Sequence, residues 1–225
     1  MKKIAIITAR GNSKGVRRKN LRKIGGDSLL AITFKSALES NIFDSIVVSS
    51  DNDEILTHAK ALGADIIKRP SSLSQDGSKS IDAVLHALDS MKIVQGEVTL
   101  LQPTSPFRTS EHILKAYEGF NDNAVKSVIS VCEMHDHPFK SFVMEGSHAS
   151  PVRDFKDLES PRQQLPVAVK PNGAIYIVSI AELIAYKTFF VKPFSLYQMT
   201  KDASLDIDTE ADLELANYLY SRRAI

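Results

Sequence analysis

Two stretches of this 225-residue chain concentrate side chains that can do chemistry. The first runs Arg10-Gly-Asn-Ser-Lys-Gly-Val-Arg-Arg-Lys19-Asn20. Residues 10–23 hold seven cations (Arg10, Lys14, Arg17, Arg18, Lys19, Arg22 and Lys23), and the first acidic residue is Asp27. At the overall density of 28 Lys and Arg in 225 residues, a window of that length holds about two. Gly11 and Gly15 let backbone approach an anion closely, while the Ser13 hydroxyl and backbone N–H groups can donate to it. The spacing is neither a Walker A loop nor G-x-G-x-x-G, which speaks against ATPase and dinucleotide readings. A solvated basic loop or localisation signal is the plain alternative. The interleaved Gly and Ser after a buried strand favour phosphate.

The second stretch is Asp206 and Asp208. In an extended segment residues i and i+2 face the same way, about 7 Å apart, so both carboxylates can share one hard cation such as Mg²⁺ or Mn²⁺. Alternatively Asp208 or Thr209 caps the final helix, with Glu210 in its first turn. Single positions add to these. Arg69, at the end of a strand in Lys68-Arg69-Pro70, suits phosphate or is an isolated surface arginine. Ser80, after Asp76-Gly77-Ser78-Lys79 at the start of a predicted helix, suits an N-cap. Gln102, held by Pro103 at a strand exit, suits a hydrogen-bonding ligand. Phe189-Phe190 fits core or a ligand pocket.

The elements that must position these groups are readable from periodicity. Apolar runs at Lys3–Ala9, Ile46–Val48, Ala64–Ile67, Val98–Leu101 and Val125–Val131 predict strands. Helical spacing predicts helices over Ser28–Ser40, Asp51–Leu62, Ser80–Met91, Ser110–Phe120 and Thr209–Ser221. Strand and helix in alternation imply βαβ units, a largely parallel sheet with helices on both faces, and ligands beyond the carboxyl ends of the strands. The rhythm breaks at about 135–171, which holds five of the nine prolines. That stretch is too long for a structureless loop and reads as an inserted arm, after which Gly173–Val178 resumes a strand. Packing against a second copy would cover Phe139, Phe142, Val143 and Leu165 of the arm, predicting a homodimer.

Composition excludes several classes. Hydrophobic residues are 43% and charged residues 24%, ordinary for a globular chain. A net charge of +1 argues against a polycationic grip on nucleic acid. The single cysteine, Cys132, allows no internal disulfide and no cysteine-rich zinc site. No apolar stretch has the length of a membrane span, and Ile4–Ala9 is too short for a signal peptide core. The expected location is the cytosol.

The basic loop, as Arg10-x-x-Ser-Lys-Gly-x-x-x-Lys19-Asn20, resembles the signature of the acylneuraminate cytidylyltransferases (CMP-sialic acid synthetases). Leu100-Leu-Gln-Pro-Thr-Ser-Pro-Phe-Arg108 resembles their second block. Pro161-Arg-Gln-Gln-Leu-Pro166 with Pro171-Asn-Gly-Ala-Ile-Tyr176-Ile resembles the third, and Ser204-Leu-Asp-Ile-Asp-Thr-Glu210 the fourth. The resemblance implies a Rossmann-like nucleotidyltransferase fold in one domain, 1–225, of bacterial type, with a dimerisation arm. It implies CMP transfer from CTP to N-acetylneuraminic acid, or to legionaminic or pseudaminic acid, with Arg162-Gln-Gln leaning toward the sialic acid branch. A non-catalytic nucleotide-sugar-binding protein would leave the carboxylate pair idle. Arg10, Ser13, Lys19, Asn20, Arg69 and Ser80 are implied for the nucleotide and Asp206 and Asp208 for the metal. For the sugar the implied residues are Leu100, Gln102, Lys140, Arg162, Lys170, Asn172, Tyr176, Phe189 and Phe190. Lys170 stands where related sequences often carry Arg, so it offers a point charge rather than a planar fork.

Overall fold

A computed structural model describes residues 1–121 and 124–223. In chain order the elements are β1 (Lys3–Thr8), β2 (Lys23–Ile24), β3 (Asp27–Ser28), α1 (Leu29–Glu39), β4 (Ser45–Ser50), α2 (Asp53–Leu62), β5 (Asp65–Lys68), α3 (Ser80–Ser90) and β6 (Glu97–Leu101). They continue through α4 (Ser110–Phe120), β7 (Ser127–Glu133), β8 (Phe142–Glu145), β9 (His148–Pro151), α5 (Phe155–Glu159), β10 (Val169–Ser179), α6 (Ile180–Tyr186), β11 (Phe194–Gln198) and α7 (Glu210–Arg223).

Seven strands form one sheet in the order β11-β7-β10-β6-β1-β4-β5. All run parallel except β10, which is antiparallel to both β6 and β7. The helices are set by local signals. Ser28 Oγ accepts from Ala31 N at 3.0 Å and starts α1. Asn52 Oδ1 accepts from Ile55 N at 3.1 Å and starts α2, which Gly63 ends at φ 96°. The central strand β1 shows why both faces must be covered. Ile4 and Ile6 pack with Val84, Leu88 and Leu183 of α3 and α6. Ala5 and Ile7 pack on the other side with Leu30, Phe34, Ile55 and Ile113 of α1, α2 and α4. A third cluster joins Val16 of the basic loop, Ile24, Leu29, Phe107, Ile207 and, from α7, Leu213 and Ala216.

Three elements depart from the sequence reading. The expected strand Gly173–Val178 is the longer, antiparallel β10, with an irregularity between Pro171 and Tyr176 where Gly173 takes φ 78°. The Asn172 side chain fills that bulge. It accepts from Ser130 Oγ at 2.6 Å and donates to Ser204 Oγ at 2.9 Å. Strand β11 and helix α6 carried no clear signal. β11 is an edge strand of alternating exposure, paired only to β7, and needs no continuous apolar run.

The 135–171 stretch leaves the sheet between β7 and β10 and has structure of its own. It contains the hairpin β8–β9, whose turn uses Gly146 at φ 63°, and the short α5. Arg153 binds both carboxylate oxygens of Asp157 at 2.6 Å and lies 3.9 Å over the Phe139 ring. His137 Nε2 donates to the Pro166 carbonyl at 2.8 Å. Phe142, Val143, Met144, Phe155 and Val167 are exposed on this arm, whereas Phe139 and Leu165 are half-buried. Among the described residues no helix is long and apolar enough to cross a membrane.

Glu97, at the start of β6, is 9% exposed and its Oε2 has no hydrogen-bond partner; Lys3 Nζ stands 3.9 Å away. Burial raises its pKa, and Lys3 only partly offsets this. A raised folded-state pKa favours the fold below the ordinary carboxylate value of about 4.3, and that advantage is lost as pH rises through the folded value. Glu97→Gln should therefore be more stable than the wild type at pH 7, with the difference vanishing below about pH 4. Urea melts across pH check this.

Candidate active site

The chain runs from β1 outward to β4 and β5, then returns to the other side of β1 to form β6. The crevice beyond the carboxyl ends of β1 and β6 is thus a topological switch point. A cavity of about 280 Å³ lies there. It is lined by Arg10, Ser13, Lys19 and Asn20 of the basic loop, by Arg69 and Ser80, and by Gln102, Asp206 and Asp208.

The loop is shaped by buried polar contacts and by two close approaches. Asn20 Nδ2 donates to the Arg10 carbonyl at 2.8 Å, and the Asp51 carboxylate accepts from Gly11 N at 2.9 Å. A side chain on Gly11 would begin 2.8 Å from Asn52 Cβ. Gly15 is tighter still, since an added Cβ would lie 1.9 Å from the Asp208 carbonyl oxygen. Lys19 Nζ donates to the Ile207 carbonyl at 2.7 Å and pairs with Asp208 at 3.0 Å. Ile207 is itself buried in the third apolar cluster. Alternation then turns Asp206 and Asp208 the other way, toward the cavity.

The structure sorts the seven cations. Arg18 pairs with Glu54, and Arg22 grips Glu210 with two bonds of 2.7 and 2.9 Å. Only Arg10 and Lys19 of the seven line the cavity. Arg10 approaches Asp76 at 3.4 Å, and Lys14 holds the same carboxylate at 2.7 Å. The hydrogen bond from Lys14 lowers the Asp76 pKa. Arg69 is not an isolated surface arginine: it is 5% exposed and donates from Nε to Ser74 Oγ at 2.7 Å. Burial lowers its pKa, with Asp51 opposing and Arg10 adding to the shift.

The start of α7 is closed by Thr209 and Asp212, not by the carboxylate pair. Asp212 Oδ2 accepts from Thr209 N at 2.8 Å and from Asp208 N at 3.1 Å, and Thr209 Oγ1 accepts from Asp212 N at 3.2 Å. Ser80 likewise makes no cap; its Oγ accepts from Gln102 Nε2 at 3.2 Å. Although the Asp206 residue retains solvent access, its carboxyl sits in a recess whose desolvation raises its pKa. A Thr104 hydrogen bond counters that shift and Asp208 reinforces it. Among the described residues no three His, Cys, Asp or Glu side chains form a ready-made cation cage. Two carboxylates opening on one polar cavity fit Mg²⁺ or Mn²⁺ nonetheless. Such hard cations use one or two protein carboxylates and complete their shell with water and phosphate oxygens.

A second cavity of about 300 Å³ shares Gln102 and Asp206 with the first, and adds Cys132, Lys170, Asn172, Tyr176 and Ser204. Tyr176 contacts Phe189 and Phe190, ring centroids 5.3 and 6.4 Å away. Phe189 is core, 8% exposed, and Phe190 is 49% exposed.

Three expected sugar residues lie elsewhere in the single chain. Leu100 is 1% exposed and packs in the layer under α3 and α6, because alternation along β6 turns it inward. Lys140 donates to the Leu158 carbonyl within the arm. Arg162 donates to the Met134 carbonyl at 2.7 Å and lines a different groove with Met199 and Lys201. Conversely, Asp76 and Thr104 line the first cavity without having been anticipated. The signal for Asp76 was its place in the polar turn before Ser80.

Comparison with known proteins settles the family. A family model described as Cytidylyltransferase matches residues 4–225. The chain belongs to the cytidylyltransferase family. It is 36% identical over 216 residues to the N-acylneuraminate cytidylyltransferase of Escherichia coli, covering 95% of this chain and 51% of that protein. The chain thus spans about half the length of that relative. It is also 36% identical to the CMP-N,N'-diacetyllegionaminic acid synthase of Legionella pneumophila, over 97% of this chain and 96% of that one. In fold it is similar to a CMP:2-keto-3-deoxy-manno-octonic acid synthetase solved with CTP, with a TM-score of 0.76 at 17% identity, over 99% of this chain and 100% of that one.

The Gly15 contact is directly testable. Gly15→Ala must push the loop off the Asp208 carbonyl, so it should destabilise the protein by about 1–3 kcal/mol, the usual cost of overpacking. A denaturant melt of the variant beside the wild type checks this.

Proposed function

We propose that this chain transfers CMP from CTP to the anomeric hydroxyl of N-acetylneuraminic acid, releasing pyrophosphate. The observation that carries this reading is the pair of joined cavities. One gathers Arg10, Lys19, Arg69 and the two carboxylates, and the other holds Lys170 and Tyr176, with Gln102 and Asp206 between them. That arrangement suits a polyanionic nucleotide beside an anionic sugar. The family and the name of the Escherichia coli relative support the same reading.

In this reading Arg10, Lys19 and Arg69 bind the triphosphate and offset charge gathering on the departing pyrophosphate. Gln102 orients the two substrates, and Lys170 faces the sugar carboxylate. Mg²⁺ or Mn²⁺, held by Asp206 and Asp208, would supply further neutralisation of phosphate charge. The sugar oxygen attacks phosphorus directly, so no protein nucleophile is needed, and in-line placement with fixed electrostatics carries the rate. The enzyme is cytosolic and a homodimer in this reading. The exposed apolar side chains of the arm support the dimer, and a partner arm would bring Lys140 and Arg162 to the site. A second acceptor, a legionaminic acid, is supported by the Legionella relative, which matches this chain end to end at equal identity.

Pyrophosphate release from CTP with a panel of nonulosonic acids tests the function, and turnover with N-acetylneuraminic acid is the expected result. Lys19→Ala should lower kcat/KM for CTP by about 10²–10³, the usual loss on removing one fixed transition-state contact. Unchanged turnover in that variant would reject the assignment. Excess chelator should abolish turnover, and Asp208→Asn should lose most of it at limiting Mg²⁺; full wild-type rates in chelator would overturn the metal role. Light scattering should give a mass near twice 24.8 kDa, and an active monomer would refute the shared site.

A further inference from the structure

Arg108 is 1% exposed and the largest fully buried side chain of the described core, yet it carries a charge. Among the described residues its hydrogen-bond partners include no carboxylate. Nη1 donates to the carbonyl of Gln102 at 3.0 Å and to the carbonyl of Ala174 at 3.2 Å, while Nε and Nη2 each reach Ser36 Oγ at 3.4 Å. Burial pulls its pKa down to about 9. A buried cation without a counter-ion is costly, and a well-packed apolar side chain would commonly be cheaper. What the guanidinium offers instead is a planar fork of fixed geometry.

That fork ends where the two cavities meet. One nitrogen spans the exit of β6, at Gln102, and the bulge of β10, at Ala174. It therefore sets the distance between them. The bulge lies close to the Gln102 side chain, with no room for a side chain of its own: a Cβ on Gly173 would lie 2.8 Å from Gln102 Oε1. On its other side Gln102 Nε2 rests on Ser80 Oγ. The Gln102 amide is thus caught between the bulge and Ser80, and Arg108 holds the backbone on both sides of the gap.

We propose that Arg108 is a positioning residue that fixes the Gln102 amide between the two cavities, and so sets how the acceptor sugar is oriented toward the nucleotide. The proposal rests on the cytidylyltransferase reading of those cavities. Arg108 touches neither substrate; it acts through Gln102.

A double-mutant cycle tests this, using Arg108→Lys, Gln102→Ala and the double variant, with kcat/KM for the acceptor at saturating CTP. Arg108→Lys keeps the charge but loses the fork. It should lower kcat/KM about tenfold, mainly through acceptor KM, in the wild-type background and by less than twofold in the Gln102→Ala background. Equal losses in both backgrounds would mean a general structural role and overturn the proposal. If Arg108→Lys does not fold, Ser36→Ala removes the far anchor of the guanidinium together with a hydrogen bond to the Thr33 carbonyl inside α1, and the same cycle is read with it. A loss of about twofold to threefold that disappears with Gln102→Ala supports the proposal, and no loss or an additive loss overturns it. Wild-type protein with no CTP-dependent turnover on any acceptor would instead reject the functional reading, and this proposal with it.

Discussion

The site depends on one close approach. The loop after β1 and the segment before α7 are 189 residues apart in sequence at Lys19 and Asp208, yet they meet with no room for a methyl group at Gly15. The apolar cluster of Val16, Ile24, Leu29, Phe107, Ile207, Leu213 and Ala216 holds the two segments together from beneath. A burial-driven contact thus does the positioning. Ile207 and Val16 go into the core, and their polar neighbours are thereby left facing the cavity. The hydrogen bond from Lys19 to the Ile207 carbonyl then fixes the ammonium beside the carboxylate pair.

The same geometry explains how so many charges coexist. Asp76 lies between Arg10 and Lys14, and Asp208 faces Lys19. These internal carboxylates hold the cations in place at modest strength, because exposed ion pairs contribute little net stability. Arg69 differs: it is buried and bonded to Ser74, so its orientation is set before any ligand arrives. The charges outside the cavity have a separate role. Arg18 to Glu54 and Arg22 to Glu210 clip the basic loop to α2 and α7.

The arm follows a different logic. Its internal ties, Arg153 to Asp157 and His137 to Pro166, give it a definite shape without burying Phe142, Val143 or Met144. Exposed apolar side chains on both faces of β8 are the feature on which the proposed dimer rests. Within the chain Lys140 and Arg162 donate to backbone carbonyls, at Leu158 and Met134.

Much of this protein was legible in its residues. The apolar runs and helical stripes located six strands and five helices because period and burial are local properties, and the cation density marked the basic loop that lines the cavity. The i, i+2 carboxylates were visible for the same reason, since alternation about Ile207 is written in the chain. What the chain did not disclose were features decided by distant partners. Leu100 reads as a block neighbour of Gln102 but faces the core, because β6 is covered on both sides. The direction of β10 depends on pairing between β6 and β7, which no local pattern encodes. Arg108 reads only as the last residue of the second block. Only the packed structure, which brings Gln102, Ala174 and Ser36 around it at once, makes burying that charge tolerable and reveals what it holds.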